Sequence, residues 1–225
     1  MMLEGHKAIV RAVCFNPTND LNLLSGGEGD TEIKVWDTET GKNIANLEGH
    51  SEGVVALKTN ADGLCCASVS KDKTLRLWDL RSSSCAFAID CKHYSEMNDV
   101  ALSSGYKMGP RSAQAKGEAP SGGSYLAAVG HNDGMVSVWD LSMRKCVKEL
   151  NQHIQAARSV SYNVDGKFLA SAGFDSMIRV MDSANNLSVV KTLSHEDKVV
   201  CVRWHPFLPM LLSTSADKTA RLWMP

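Results

Sequence analysis

The chain has 225 residues, 44% of them apolar and 22% charged, with a net charge of −1, the usage of an ordinary globular domain. That balance supplies no basic field for nucleic acid, and the longest apolar stretches are strand-sized, too short for a transmembrane helix. Seven cysteines, an odd number with Cys65 and Cys66 adjacent and no CxxC pair, point to reduced thiols in the cytosol rather than a disulfide framework or a zinc site. The opening Met1 to His6 runs straight into patterned sequence, so no signal peptide is expected.

A cadence recurs along the chain: Val35-Trp36-Asp37, Leu77-Trp78-Asp79, Val138-Trp139-Asp140, Val180-Met181-Asp182 and Leu222-Trp223-Met224. The Trp or Met positions lie 42 residues apart, except for the step from Trp78 to Trp139, which is 61. A period of about 40–45 residues closing on Trp-Asp marks a unit of four antiparallel strands. Five units close near residues 37, 79, 140, 182 and 224. Each carries a His well ahead of the Trp slot (His6, His50, His93, His153, His195) and an Asp seven residues before the terminal position (Asp30, Asp72, Asp133, Asp175, Asp217). Four also carry a Ser shortly before that Asp, at Ser25, Ser68, Ser171 and Ser213, where the third unit has Ala128.

In chain order, Ile9 to Phe15 is a β-branched run suited to a buried inner strand. The turn Asn16 to Asp20 follows, and Asn43 to Leu47 reads as a more polar fourth strand. The second unit turns at Asn60 to Gly63, continues as a strand from Leu64 to Ser68, and alternates with period two from Thr74 to Trp78. The third unit holds the cause of the longer step: Ser104 to Gly123 is rich in Gly and Pro with almost no branched apolar side chain, so 104–123 is expected to be a flexible insertion loop. Its cations Lys107, Arg111 and Lys116 outnumber Glu118, which suits a docking or modification element. A plain tolerated surface insertion fits equally, because loop length costs little stability. The fourth unit turns at Val164 to Lys167 and continues from Phe168 to Ala172. The fifth opens on the apolar strand Val199 to Trp204, which places Trp204 in the core.

The Gly-His…Trp-Asp signature at this spacing resembles the WD-repeat β-propellers over almost the whole chain. The resemblance implies an all-β fold in which the His, Ser, Asp and Trp of each blade form a buried hydrogen-bonded tetrad. The sets are His6/Ser25/Asp30/Trp36, His50/Ser68/Asp72/Trp78 and His195/Ser213/Asp217/Trp223. The chemistry is coherent: indole donates, hydroxyl relays, imidazole donates and accepts, and carboxylate terminates. On this reading the third unit lacks its hydroxyl and the fourth, with Met181, lacks its indole, so His153 and Asp175 lose a relay. The same residue types also suit a serine-hydrolase triad, but a constellation repeated four times with no Gly-x-Ser-x-Gly elbow argues against catalysis. His131-Asn132-Asp133 is the one weak catalytic candidate outside the repeated slots. Neither a cofactor nor a metal is expected.

Most members of the family resemble seven-bladed rings, and seven units would need about 294 residues at this period. The five units are therefore expected to be an incomplete portion of such a ring, with a true five-blade ring as the alternative. A narrower likeness, carried by Asp72 to Arg81 with Ser84-Cys85, by Val180-Met181-Asp182 and by Glu196 to His205, is to the C-terminal propeller of nemitin-type microtubule-associated proteins. It implies a protein-binding scaffold in the cytoplasm linked to microtubules or the cytoskeleton. An enzyme using propeller loops and a reader of nucleic acid are the other classes, and no membrane association is expected. In this family, residues five after each His and just before each turn Asp line one face. That gives Arg11, Lys71, Asn98, Asn132, Arg158 and Phe174 as the candidate partner-binding face, since Arg and aromatic side chains dominate interface hot spots.

Overall fold

The computed structural model describes residues 2–103 and 126–224; the expected insertion loop at 104–123 lies outside them. Among the described residues there are nineteen strands and no helix. Blade 1 comprises β1 (Val10–Asn16), β2 (Asn19–Gly27), β3 (Ile33–Asp37) and β4 (Asn43–Leu47), paired in that order. Blade 2 holds β5 (Val54–Thr59), β6 (Cys65–Ser70), β7 (Thr74–Asp79) and β8 (Ser84–Asp90). Blade 3 holds β9 (Met97–Leu102), β10 (Leu126–His131), β11 (Met135–Asp140) and β12 (Lys145–Asn151). Blade 4 holds β13 (Ala157–Tyr162), β14 (Phe168–Gly173), β15 (Met177–Asp182) and β16 (Ser188–Ser194). Blade 5 shows three strands, β17 (Val199–Trp204), β18 (Leu211–Ser215) and β19 (Ala220–Trp223). Every pairing is antiparallel, and each blade packs on the next through its inner strands.

The second strands of blades 2 and 4 are buried on both faces, which is why they read as small and apolar: Cys65 to Ser70 and Leu169 to Gly173 are buried throughout. Their short side chains let neighbouring sheets approach, and the larger residues beside them fill the space between blades. Leu24, Ile33, Val35 and Leu47 of blade 1 meet Leu57, Cys66 and Trp78 of blade 2. Comparable clusters join the other neighbours around Leu77 and Val100, Val138 and Val160, and Val180 and Val202. Fourth strands face outward, and β16 is exposed along almost its whole length.

Two motif residues have direct structural reasons. The Asp of Trp-Asp caps the following turn: Asp37, Asp79, Asp140 and Asp182 accept from backbone N–H groups two residues on, at 2.8–2.9 Å. The Gly of Gly-His has a conformational reason in blade 2: Gly49 sits at φ +153°, where L side chains seldom go, and a Cβ there would lie 2.9 Å from Arg76 Nη1 and 3.3 Å from Trp78 Cη2.

The flanks of the array differ from its interior. Val13 is 62% exposed, whereas Leu57, Val100, Val160 and Val202 in the same slot are at most 6% exposed. At the other end Leu212 and Leu222 are 47% and 55% exposed, against 0% for Leu24 and Ala67 and at most 8% for Val35 and Leu77. Trp204 is partly buried and packs against the core cluster of blades 4 and 5. Its ring stacks on Phe168 (centroids 6.3 Å apart) at the wall of a cavity of about 510 Å³ between blades 4 and 5, and its buried Nε1 has no hydrogen-bond partner among the described residues.

Candidate protein-docking face and the buried networks behind it

In blade 1, Trp36 Nε1 donates to Ser25 Oγ (2.6 Å), Ser25 Oγ meets His6 Nε2 (2.6 Å), and His6 Nδ1 meets Asp30 Oδ2 (2.7 Å). The same chain runs through Trp78, Ser68, His50 and Asp72 at 2.8, 2.7 and 2.8 Å. In blade 5 it runs through Trp223, Ser213, His195 and Asp217 at 2.8, 2.8 and 2.7 Å. One proton arrangement satisfies every link: the hydroxyl accepts from indole and donates to Nε2, leaving Nδ1–H to donate to carboxylate. Burial lowers the pKa of His50 against the pull of Asp72, which keeps the imidazole neutral. Burial raises the Asp72 carboxyl, but hydrogen bonds from Thr74 and His50 outweigh it and leave the acid below its ordinary value.

The two departing blades correct the sequence reading. Blade 4 keeps more of its relay than expected: His153 still meets Ser171 Oγ (2.9 Å) and Asp175 (2.8 Å). Only the indole link is gone, and Met181, fully buried, fills its place. Arg179 adds an ion pair to Asp175 at 3.2 Å.

Blade 3 is rebuilt rather than incomplete. Its hydroxyl comes from Ser137 on β11, two residues before the Trp, and not from the slot of Ala128. Trp139 Nε1 donates to Ser137 Oγ at 2.8 Å, and His131 Nε2 meets the same oxygen at 2.7 Å. His93, expected in the network, is exposed. Tyr94 instead stacks on His131 with centroids 5.2 Å apart. The sequence did contain the signal: Ser137 stands where the other blades have Lys34, Arg76, Arg179 and Arg221.

These contacts also decide the chemistry. Ser25, Ser68, Ser137, Ser171 and Ser213 are at most 4% exposed, so a substrate cannot reach the hydroxyls. His131, the histidine of the weak catalytic candidate, is fully buried and committed to Ser137. No group of His, Cys, Asp and Glu among the described residues is arranged to hold a metal.

The accessible cavity where the five inner strands converge forms the channel mouth. Each inner strand carries a β-bulge, seen as a register shift that leaves one residue unpaired: Arg11 between Val10 and Ala12, Val55, Asn98, Arg158 and Val200. A bulge re-aims its extra side chain, and all five residues line one cavity of about 270 Å³. Arg11, Asn98 and Arg158 from the candidate face are thereby brought together. Lys71, Asn132 and Phe174 sit in the turns between second and third strands. Lys71 shares Glu28 with Arg11, each 2.8 Å away. Asn132 is exposed, and half-buried Phe174 lies under Lys198, whose Nζ is 5.5 Å from the ring centroid.

Beneath the mouth is a linkage that the repeat pattern did not reveal. Asp99 Oδ2 accepts from Ser159 Oγ (3.0 Å), Val160 N (3.1 Å) and Arg203 (3.1 Å), tying blades 3, 4 and 5 together. Burial lowers the Arg203 pKa, but Asp99 outweighs it and holds the guanidinium above its ordinary value. An Asp in a slot otherwise held by Ala12, Ala56, Ser159 and Cys201 was the available clue.

Comparison with known proteins settles the family. The WD domain, G-beta repeat family matches residues 1–37, 41–79, 144–182 and 187–224, more than half of the chain. The chain belongs to the WD40 repeat family. The stretch between the second and third matches contains the first three strands of blade 3, the blade whose network is rebuilt. Similar proteins include the nuclear distribution protein PAC1 of Arthroderma otae, 30% identical over 216 residues, covering 91% of this chain and 47% of the relative. The nuclear distribution protein nudF of Aspergillus niger is 29% identical over 207 residues, covering 91% and 46%. The nuclear distribution protein nudF 1 of Talaromyces marneffei is 33% identical over 266 residues, covering 96% and 58%. This WD40 chain spans about half the length of the curated relatives it matches.

Proposed function

We propose that this WD40 chain is a non-catalytic scaffold that docks protein partners on the face carrying the channel mouth. The observation behind the reading is a division of labour. Most of the repeated His, Ser and Asp residues are consumed in buried networks, whereas the five bulge residues are directed into one open cavity. A rigid stack of blades presents such a face without ordering cost at the moment of binding. The nuclear distribution proteins to which it is similar and the nemitin-type motifs support a cytoplasmic setting connected to microtubules or the cytoskeleton, and the seven free thiols suit a reducing compartment. A near-neutral charge favours protein over nucleic acid as the partner class.

Cross-linking mass spectrometry in cell extract tests the face. Partner cross-links should concentrate on Lys71 and Lys198, with few on Lys145 and Lys148 of the third blade's outer strand. The reverse distribution would move the docking surface to the outer wall. Co-sedimentation with polymerised tubulin, with and without extract, tests the microtubule connection. A chain left wholly in the supernatant in both conditions would remove it.

A further inference from the structure

The cations around the channel mouth are not equivalent. On blades 1 and 2 they are already neutralised, because Glu28 Oε1 takes both Arg11 and Lys71 at 2.8 Å. The hydrogen bond from Lys71, then its charge, holds the Glu28 carboxyl below the usual range. On blades 4 and 5, neither Arg158 nor Lys198 makes an ion pair among the described residues. Arg158 is a bulge residue, so the backbone aims it into the mouth. Beside it stands Asn98, whose Nδ2 donates to Ala157 O at 3.2 Å. Asp197, the acid next to Lys198, turns its carboxylate onto the Lys198 backbone N–H at 2.7 Å, and Glu196 is exposed on the same loop.

Apolar surface adjoins these free cations. Ile154 is 87% exposed, and Phe174 lies in the neighbouring turn. Backbone N–H groups hold these turns: Phe174 N donates to Ala156 O at 2.9 Å, Ala216 N to Lys198 O at 2.9 Å, and Ile154 N to the Asp175 carboxylate Oδ2 at 3.4 Å. The buried His153–Asp175 pair anchors the base of the patch. Ile154 and Phe174 are thus held on a rigid frame, which limits the entropy lost when a partner covers them.

We propose that the partner-contacting part of this face is the blade 4–5 patch of Ile154, Arg158, Phe174 and Lys198, and that its partner is a polypeptide segment in which acidic and apolar side chains adjoin. A carboxylate would pair with Arg158 in the mouth, where partial desolvation strengthens a bidentate contact. An apolar side chain would cover Ile154 and the free edge of Phe174, with Lys198 facing a second acid at the rim. Arg11 and Lys71, held by Glu28, contribute little. The assignment rests on the docking reading above and narrows it to one part of the face.

Random dodecapeptides displayed on phage and selected against the full chain test it. Enriched peptides should combine Asp or Glu with Leu, Ile or Phe. Arg158→Glu and Phe174→Ala should each weaken their binding by at least about tenfold, while Arg11→Ala leaves it within about twofold. Thermal melts check that the variants fold, and Lys198→Glu serves in place of Arg158→Glu if that one does not. Enriched peptides without acids, or peptides bound equally by the blade 4–5 variants, would overturn this assignment while leaving the scaffold reading in place. Failure to enrich any peptide would count against both.

Discussion

Ser137→Ala is the sharpest perturbation of the third blade. The substitution removes one oxygen that serves two buried partners, the Trp139 indole N–H and His131 Nε2. His131 is fully buried and Trp139 is 5% exposed, so water cannot substitute for the lost hydroxyl. An orphaned buried polar group costs about 1–3 kcal/mol. Two orphans of one shared partner are not additive, so the expected loss is roughly 3 kcal/mol. For a chain of this size that corresponds to about 6–12 °C in melting temperature. His93→Ala is the matched control, because His93 is exposed and its loss should cost under about 0.5 kcal/mol. Urea titrations followed by tryptophan fluorescence compare the two. A Ser137→Ala midpoint equal to wild type, or a larger loss from His93→Ala, would mean that the blade uses the ordinary His slot after all.

Trp78→Ala should cost about 3–5 kcal/mol through its cavity and the donor lost to Ser68, and Met181→Ala somewhat less, at about 2–4 kcal/mol; denaturant titrations giving equal losses would contradict an already reduced fourth network. Asp99→Ala should destabilise by about 2 kcal/mol, a figure discounted because the Arg203 side chain is partly exposed; hydrogen exchange should show the loosening along β13 and β17, and unchanged protection there would refute the three-blade linkage. Burial lowers the pKa of His50, His131 and His153 in the folded state below 6.5, so the unfolded chain binds more protons as pH falls through that value. Stability should therefore be full above pH 6.5 and decline below it. Asp72 and Asp175, both held below 3.8, should add a further loss in stronger acid. Urea midpoints across that range check the order, and a midpoint that rises on acidification would contradict it.

The repeat pattern carried the architecture because period and burial are coupled: a unit of about 42 residues is four strands and their turns, and Trp36, Trp78 and Trp223 mark where each third strand ends. Ser25, Ser68 and Ser213 were legible for the same reason, since a two-sided buried strand admits a small hydroxyl and little else. Blade 3 was not legible by slot alignment. Its hydroxyl moved from one strand to the next, and a hydrogen bond depends on where an oxygen lies in space rather than on its position in the repeat. The bulges at Arg11, Asn98 and Arg158 also left no mark in composition, although the five-after-His offset located the same residues. The pairing of Arg11 and Lys71 with Glu28 joins residues far apart in sequence and was beyond any reading of periodicity.

Docking through the channel mouth is tested most directly by quantitative affinity capture from cytosol, comparing wild type with the Arg158→Ala/Phe174→Ala double variant and with Arg11→Ala. The double variant should lose the proteins retained by wild type by about tenfold or more, with its melting curve unchanged, while Arg11→Ala retains them. Identical protein sets on wild type and the double variant would contradict the assignment of the blade 4–5 part of this face as the docking surface.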